Sequence, residues 1–353
     1  MATEEAHEST AAAGPQSDFG PVSEEAGGGQ LLDSSCMCES YLRSTERAAL
    51  AGARWLGRAD QESAEEAAFS GMEASLAQFP ISGRVVIGAG DVEAGSALSG
   101  PIGAGGEEVD LALDPLEGRG VVARGGNGAI SMIVVGEPGR LRTLPDMYMR
   151  TIAVGPRARG KIGLLWPVGD NIHAIADSFG RNAGDVTTIV LDRPRHHDLI
   201  AEIRAAGARI KLIQDGTVTA AISAAIRGTN DHLAIGIGGT RQAVMAAVAL
   251  RCLGGEVQAQ LWPTTRTEIE NAREHGIDDI ERIFTSEDLA PGEVIFAATG
   301  VSNGDLLRGV RYLAESAISH SLVMCTRCNW VRFVDGHHFF ARERREEVRL
   351  LGF

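Results

Sequence analysis

The amino-acid sequence of 353 residues predicts an α/β fold. From Val186 onward, short apolar runs alternate with segments of helical periodicity, which is typical of strands covered by helices on both faces. Earlier in the chain, helix-like segments precede further apolar runs. Glycine is abundant, at 44 residues, and suits tight turns between strands and helices. Together these observations predict layers of sheet and helix.

The first half of the chain contains both kinds of pattern. Apolar positions at helical spacing predict helices over residues 44–56 and 63–77, and Pro80 ends the second helix. Three apolar runs then predict strands at residues 85–87, 109–113 and 129–135.

The second half repeats a strand–helix order. Strands are predicted at residues 187–191, 209–213 and 233–237, followed respectively by helices at residues 197–206, 218–226 and 242–253. A strand at residues 294–298 and a hairpin near residues 324–334 close the pattern.

The charge distribution excludes several classes of partner. The net charge is -14, and residues 1–40 contain eight acidic residues and no Lys or Arg, which leaves -6 for the remainder. We expect residues 1–40 to form a disordered acidic tail. An acidic surface argues against nucleic acid as a partner, and no apolar stretch is long enough to span a membrane. The tail resembles neither a secretory signal nor a transit peptide, so we predict a cytoplasmic protein.

The cysteines leave two interpretations open. Cys36 and Cys38 form a CxC pair, and Cys325 and Cys328 form a CxxC pair, so that the four together offer ligands for zinc. However, the pairs are far apart in sequence, and the first pair lies in a segment without an apolar pattern. Cys325 and Cys328 also lie between two strand-like runs. The sequence therefore favours a hairpin turn over a zinc site.

The sharpest local signal is the segment Asp114-Pro115-Leu116-Glu117-Gly118 at the end of a predicted strand. The strand delivers Asp114, Pro115 interrupts the ladder, and Glu117 returns to the same side across a tight turn. Two carboxylates held so close do not both ionise easily unless a cation lies between them. The alternative is a solvated Asp/Pro/Gly turn, and the spacing alone does not decide.

This segment resembles the central metal motif of the inositol monophosphatase and fructose-bisphosphatase superfamily. Further segments are similar to class II (GlpX-type) fructose-1,6-bisphosphatases, in the family's order and approximate spacing, from about residue 48 to about residue 338. These segments are residues 55–58 (WLGR), 145–149 (PDMYM), 193–196 (RPRH), 215–216 (DG), 236–239 (GIGG) and 298–300 (ATG).

The resemblance implies a layered αβαβα sugar-phosphatase fold of the fructose-bisphosphatase and inositol monophosphatase type. It places one such domain at residues 41–343, with a metal-motif half at about 41–180 and a substrate-binding half at 181–343. Residues 344–353 then form a C-terminal tail. The implied activity is removal of the 1-phosphate from fructose 1,6-bisphosphate with Mg²⁺ or Mn²⁺ in sugar-phosphate metabolism. The implied assembly is a homodimer or homotetramer, or a hetero-oligomer with an intact paralogue.

Several ligand positions depart from the family pattern. The resemblance implies metal ligands at Glu65, Asp91, Asp114, Glu117 and Gln242. Glu65 replaces an Asp, Gln242 replaces a carboxylate, and Ala89 replaces a further acidic ligand. Arg119 stands where the family has the Thr that orients the attacking water, and Gln61 replaces a Lys. We therefore expect one metal site at most, with Asp114, Glu117 and Arg119 as the catalytic residues.

The substrate-binding side follows the family more closely. The implied contacts to a phosphorylated sugar come from a strand-end turn, a tyrosine, an arginine loop, a DG turn and a glycine before a helix: Glu117, Gly118, Arg119, Tyr148, Arg193, Pro194, Arg195, Asp215, Gly216, Thr217 and Gly239. Arginine suits bidentate phosphate binding, and backbone N–H groups at a helix N-terminus bind anions. Taken singly, the GIGG segment is also typical of a tight turn, and Arg193 of an ordinary surface residue.

Two functional hypotheses follow. The first is a sugar-bisphosphate phosphatase, weakened or retuned to another sugar or cyclitol phosphate. The second is a non-catalytic subunit that binds sugar phosphates, for which Ala89, Arg119, Gln242 and Gln61 argue. Family resemblance weighs for the first hypothesis and site chemistry for the second, and the sequence leans toward an enzyme.

Overall fold

Two mixed β-sheets carry the fold, and helices cover them in layers. The structure, a computed structural model, describes residues 36–88 and 101–340. Most of the predicted acidic tail, from residue 1 to residue 35, and all of residues 344–353 lie outside the described residues. The described part of the predicted tail includes a 3₁₀ helix at Cys38–Tyr41, so regular structure begins before residue 41.

The helices bracket the strands in chain order. They are α1 (Leu42–Ala53), α2 (Gln61–Leu76), α3 (Arg119–Arg124), α4 (Val168–Phe179), α5 (His197–Ala205), α6 (Thr217–Ala225), α7 (Thr240–Leu253), α8 (Arg266–Glu274) and α9 (Ser286–Leu289).

The strands divide between the two sheets. They are β1 (Ile81–Ile87), β2 (Pro101–Ile102), β3 (Glu107–Glu117), β4 (Ile130–Gly136), β5 (Tyr148–Val154), β6 (Thr187–Leu191), β7 (Arg209–Ile213), β8 (Leu233–Gly239), β9 (Glu256–Leu261), β10 (Ile283–Thr285), β11 (Val294–Gly300), β12 (Arg311–Tyr312), β13 (Ser316–Cys325) and β14 (Trp330–Phe339).

One sheet has eight strands and the other has six. The eight-stranded sheet has the order β12-β13-β11-β4-β3-β1-β2, with β14 paired to β13. The six-stranded sheet has the order β10-β9-β5-β8-β6-β7. In the six-stranded sheet β6 is parallel to both β7 and β8, whereas β5 is antiparallel to β8.

The packing gives five layers. Helices α1 and α2 contact one face of the eight-stranded sheet, and α7 contacts strands of both sheets. The main core, which includes α6 and α7, therefore lies between the sheets. A second core joins α4 and α5 to the other face of the six-stranded sheet, where alternate residues of each strand point the opposite way. This order is αβαβα and confirms the predicted fold class.

Capping explains where α2 begins, which matters because α2 carries Glu65. The Asp60 carboxylate accepts a hydrogen bond from the Ser63 backbone N–H at 3.0 Å, as an N-cap residue does. Ala64, Ala68, Met72 and Leu76 are buried along one side of the helix. Glu65 is therefore held next to a buried helix face, at partial exposure.

The strand order differs from a simple division of the sequence into halves. Strand β5, from the predicted metal-motif half, belongs to the six-stranded sheet, while β11 to β14 return to the eight-stranded sheet. The boundary near residue 180 is thus not a boundary between the sheets. Strands β5 and β9 and helices α4 and α8 were not predicted from the sequence.

The two cysteine pairs, which are far apart in sequence, meet in the structure. The predicted hairpin is confirmed, since β13 ends at Cys325 and β14 begins at Trp330. Cys38, however, is buried, and its Sγ lies 3.8 Å from the Cys328 Sγ. Because α1 packs against β11 and β13, the start of the described chain lies close to this hairpin.

Candidate active site

The candidate residues gather at one edge of the six-stranded sheet and at the end of β3. Strands β6, β7 and β8 are parallel, so their carboxyl ends share one edge, which is where ligands bind in open α/β sheets. Tyr148 begins the antiparallel β5 and pairs with Gly239 at the end of β8. The predicted arginine loop follows β6, and Asp215 follows β7.

The end of β3 delivers the two acids of the predicted motif. Pairing with β4 shifts between Asp114 and Glu117, as expected for a proline in the strand. Gly118 follows with φ 89°, and a Cβ there would lie 3.3 Å from Ala129, so the turn requires glycine. Glu117 is only 5% exposed, whereas Asp114 is partly exposed. The motif is therefore a packed turn and not a solvated one.

Burial and the charges of neighbouring acids raise the pKa values of the two carboxyls, which favours their uncharged forms. Burial, followed by the charges of Glu65 and Asp215, raises the pKa of Asp114 to about 7, with nearby Arg241 opposing the rise. Burial and the charges of Asp114 and Asp215 raise the pKa of Glu117 well above its usual range. The Glu117 Oε1 accepts a hydrogen bond of 3.4 Å from the Val218 backbone N–H. Its Oε2 is buried with no hydrogen-bond partner.

Glu65 and Arg119 form an ion pair at the rim of this acidic group. The Arg119 Nη1 lies 2.6 Å from the Glu65 Oε2. Hydrogen bonding to Glu65, with the charges of Glu65, Asp114 and Asp215, raises the pKa of Arg119. Arg119 therefore occupies one carboxylate that the sequence assigned to a metal and adds a positive charge to the site.

Arg241 is a functional candidate that the sequence analysis missed. It lies in the first turn of α7 and donates hydrogen bonds to the Gly88 carbonyl at 2.6 Å and to Asp146 at 2.8 Å. Its charge lowers the pKa of Asp114, second only to burial in size among the influences on that group. Its position two residues after the GIGG segment was the available signal.

The arginine loop after β6 is fixed by backbone carbonyls. Pro194 opens a 3₁₀ helix, and Arg193 donates from its Nη2 to the Gln214 carbonyl at 2.6 Å. Arg195 donates to the Ile237 carbonyl at 2.9 Å, and its guanidinium lies 4.8 Å from the centre of the Tyr148 ring. Both guanidinium groups are thus oriented at the sheet edge before any ligand binds.

Turns before α6 and α7 complete the edge. Gly216 has φ 90° and its N–H bonds the Asp215 carboxylate at 3.0 Å, while a Cβ on Gly238 would lie 3.5 Å from Thr217. The Gln242 Oε1 lies 2.5 Å from the position of a Cβ on Gly239. Gln242 therefore folds over the N-terminus of α7.

His196 ties two strands together behind the arginines. Its Nδ1 contacts the Leu191 carbonyl at 2.8 Å, and the Ile237 N–H donates to its Nε2 at 2.8 Å. Burial, with the charges of Arg195 and Arg193, lowers the pKa of His196. A neutral ring that donates from Nδ1 and accepts at Nε2 satisfies both contacts.

A cavity of about 300 Å³ opens beside Asp215 and Gly216. This volume is at the lower end of the range for small-molecule sites. Lys211 stands in its wall and bridges Asp231 at 2.8 Å and Asp305 at 2.6 Å. Residues from both sheets line it, so a ligand here would contact both halves of the fold.

The buried acid pair fits one divalent cation. The charge of Asp114 raises the pKa of Glu117, and the Glu117 Oε2, which has no hydrogen-bond partner, offers a ligand atom. Glu65 is engaged by Arg119, and no group of three or more acids in the described residues converges within 4.8 Å. Asp91 and Ala89 lie outside the described residues. A second cation at this site has no comparable support.

Comparisons with known proteins agree with this geometry. A sequence model of the family described as bacterial fructose-1,6-bisphosphatase, glpX-encoded, matches residues 36–338. A relative from Synechococcus sp. (strain JA-3-3Ab), named D-fructose 1,6-bisphosphatase class 2/sedoheptulose 1,7-bisphosphatase, is 40% identical over 338 residues, covering 86% of this chain and 96% of the relative. A relative of the same name from Crocosphaera subtropica (strain ATCC 51142 / BH68) is 36% identical over 337 residues, with the same coverage.

The five-layered fold and its acid pair define the class of α/β sugar phosphatases, in which metal binding is typical. Within that class, the chain belongs to the family of bacterial, glpX-encoded fructose-1,6-bisphosphatases. The resemblance found in the sequence motifs is confirmed.

Proposed function

We propose that this chain hydrolyses fructose 1,6-bisphosphate to fructose 6-phosphate and phosphate with Mg²⁺ or Mn²⁺. The observation that carries the proposal is the pair of Asp114 and buried Glu117, which lies beside a sheet edge that carries Arg193 and Arg195. Family membership supports the same reaction, since the relatives at 40% and 36% identity carry a bisphosphatase name.

Asp114 and Glu117 would hold the cation, with Asp215 adding negative charge nearby. A bound cation of this kind neutralises phosphate oxygens and lowers the pKa of a water. The chain itself supplies the buried surroundings, the Val218 N–H that orients Glu117, and the Arg241 charge that favours ionised Asp114. These contacts oppose the effect of burial on the pKa values of the pair and so favour the ionised form that a cation requires.

Arg193 and Arg195 would bind a phosphate group of the substrate. Both are oriented by backbone carbonyls, so little side-chain freedom is lost when a phosphate binds. Tyr148, 42% exposed and lying against Arg195, would cover one face of the sugar. The Asp215 carboxylate would accept a hydrogen bond from one sugar hydroxyl, and the Thr217 hydroxyl would donate one to another.

The chemistry is a hydrolysis in which the oxygen of a water forms a bond to phosphorus as the ester bond to the sugar oxygen breaks. The sugar oxygen leaves with a proton, and the products are an alcohol and inorganic phosphate. The pKa of about 7 belongs to Asp114 in the metal-free site, and a bound cation would lower it, so that Asp114 serves as an ionised ligand. Arg119, opposite Glu65, would stabilise negative charge on the phosphoryl oxygens.

The non-catalytic alternative is not favoured. The acid pair is present, and so are Arg193 and Arg195 of the arginine loop. The two relatives, which are named as enzymes, match this chain over 96% of their own length. Because that name includes sedoheptulose 1,7-bisphosphate hydrolysis, this longer bisphosphate is the second substrate to test. The family resemblance also supports self-association into a dimer or tetramer, which light scattering measures.

The test is phosphate release from a panel of sugar phosphates with Mg²⁺ or Mn²⁺. Fructose 1,6-bisphosphate should be hydrolysed, and Asp114→Asn should lower kcat by about 10³-fold, the scale of losing a central electrostatic contact. Asp198→Asn, at an exposed position in the first turn of α5, is the matched control and should stay within about twofold. No release from any bisphosphate, or an unaffected Asp114→Asn variant, would refute the proposal.

A further inference from the structure

Four cysteine side chains form a second group of possible metal ligands, separate from the Asp114 and Glu117 pair. Cys38 opens the 3₁₀ helix before α1, and Cys325 and Cys328 lie at the turn between β13 and β14. Cys38 is 0% exposed and Cys325 is 2% exposed. With Cys36, two residues before Cys38, the sulfur atoms all lie within 4.8 Å of one another. Within the described residues, no other group of three or more His, Cys, Asp or Glu side chains converges in this way.

The spacing of the sulfur atoms fits a tetrahedral metal. Cys38 Sγ and Cys328 Sγ are 3.8 Å apart. Four sulfurs bound to zinc at about 2.3 Å lie about 3.8 Å from one another along the edges of the tetrahedron. A disulfide bond of about 2.05 Å would place this pair much closer. The separation is therefore too long for a disulfide and fits two ligands on one ion.

The turn itself is shaped to hold thiolates. The Cys328 backbone N–H donates to the Cys325 Sγ at 3.4 Å, and such a hydrogen bond favours the charged sulfur that binds a metal. Asn329, with φ 50°, turns the chain directly after Cys328 so that β14 can begin at Trp330. Asn tolerates this left-handed conformation better than most residues. The hairpin thus presents both of its sulfurs toward Cys38.

Ligand softness selects the metal. Four sulfur ligands in tetrahedral geometry suit zinc, whereas Mg²⁺ and Mn²⁺ prefer the oxygen ligands of the acid pair. With four protein ligands, the ion keeps no position for water or substrate, so its role is structural.

We propose that Cys36, Cys38, Cys325 and Cys328 bind one structural zinc ion. The ion joins the segment before α1 to a hairpin 290 residues further along the chain. An ion pair between Glu39 and Arg332 links the same two segments. Closing so long a loop restricts the unfolded chain, and binding energy at such a site adds to folding energy. The site would hold α1 against β11 and β13.

Cys252 provides a matched control within the chain. It lies close enough to Cys325 for a charge on Cys325 to raise its pKa, but its thiol donates to the Val294 carbonyl at 3.8 Å. Burial raises the pKa of Cys252 to about 12, which keeps it a neutral thiol. It does not belong to the group of four.

The experiment is metal analysis of the full-length protein, purified with a reductant and without added zinc. Wild type, Cys252→Ala and Asp114→Asn should each retain about one zinc per chain. Cys38→Ser and Cys325→Ser should each lose most of it. X-ray absorption at the zinc edge should show four sulfur neighbours at about 2.3 Å. Retention by Asp114→Asn separates this site from the catalytic cation, whatever that variant does to hydrolysis.

The proposal would be overturned by wild-type protein without zinc, by iron in place of zinc, or by a mass lower by two hydrogens per cysteine pair, which shows a disulfide. A zinc ion with oxygen or nitrogen neighbours would also overturn it. If the serine variants do not fold, the metal content and absorption spectrum of the wild type still decide.

Discussion

The acid pair at the end of β3 and the cysteine group at the β13–β14 turn are opposite kinds of ligand cluster. Asp114 and Glu117 are hard oxygen donors, the charge of Asp114 raises the pKa of Glu117, and Arg119 nearby pairs with Glu65. The cysteine sulfurs converge within 4.8 Å, and a backbone N–H already supports one of them. The first cluster leaves a buried carboxylate oxygen without a partner, whereas the second resembles a finished coordination shell.

The difference separates a reactive site from a structural one. Groups with raised pKa values and unmet hydrogen bonds are costly in the folded protein and are typical of sites that do chemistry. A closed set of four ligands stabilises the fold and leaves no position for substrate. The same chain therefore combines a functional site that destabilises the fold with a four-cysteine site that offsets part of this destabilisation.

The largest expected difference between the two clusters is their response to a chelator. EDTA should lower hydrolysis by at least about 100-fold, because two carboxylates hold Mg²⁺ weakly, and added Mg²⁺ or Mn²⁺ should restore it. Zinc held by four thiolates should remain under the same dialysis. Activity and zinc content measured on one sample test both expectations.

The comparison fails in either of two ways. Full activity after EDTA would mean that the acid pair works without an exchangeable cation. Loss of zinc together with activity, both restored only by zinc, would mean that the two sites are not independent. Melting temperature on the same sample serves as the control for unfolding.

A smaller effect is expected where an arginine competes with the cation. Arg119→Thr releases Glu65 and removes a positive charge near Asp114, so less Mg²⁺ should be needed. Because Arg119 is 60% exposed, the ion pair is worth only about 1 kcal/mol, and the Mg²⁺ concentration for half-maximal activity should fall about fivefold. Titration of activity with Mg²⁺ measures the change.

Arg124→Thr, at the other end of α3, is the control and should leave this concentration unchanged. A large fall in kcat/KM for Arg119→Thr, without a change in Mg²⁺ requirement, would contradict competition. It would assign Arg119 to phosphate binding alone.

The smallest effect concerns stability of the metal-free protein. The Asp114 carboxyl has its ordinary value of 3.8 when unfolded and a pKa raised to about 7 when folded, so the folded state binds the extra proton. Its contribution to stability therefore falls as pH rises from about 4 to about 7 and stays low above that. Asp114→Asn should gain about 1–2 kcal/mol more over wild type at about pH 8 than at about pH 5.

Urea unfolding in EDTA at both pH values measures this gain. Asp198→Asn, which removes an exposed carboxylate, should show no such gain. Equal stability of Asp114→Asn and wild type at both pH values would mean that the carboxyl is well solvated.

The sequence predicted the elements with strong periodicity and missed those without it. Helices α1, α2, α5, α6 and α7 and strands β6, β7 and β8 agree with the predicted segments within a few residues. Strand β5 was missed because its exposed and buried positions do not alternate regularly, and α4 because it follows a Gly- and Pro-rich stretch. Segments that depend on tertiary packing give weak local signals.

The candidate site was predicted one residue at a time, and its contacts were not. Motif matching found Asp114, Glu117, Arg193 and Arg195, but their assigned roles stay predictions. Pairing of Arg119 with Glu65, and the approach of Arg241 to Asp114, depend on how the two sheets pack. The cysteine group was missed for the same reason, since 290 residues separate Cys38 from Cys328.

His196 makes the sheet edge responsive to charge. Strands β6 and β8 pair directly only at Thr188 with Leu233 and Ile189 with Ala234, and beyond that point the imidazole bridges them. The same arginines that would grip a phosphoester repel a proton from this ring. An anion bound between the two arginines would weaken that repulsion, so that ligand binding and protonation of the imidazole would be thermodynamically linked. A bound anion would thus raise the pKa of His196, the residue that bridges β6 and β8.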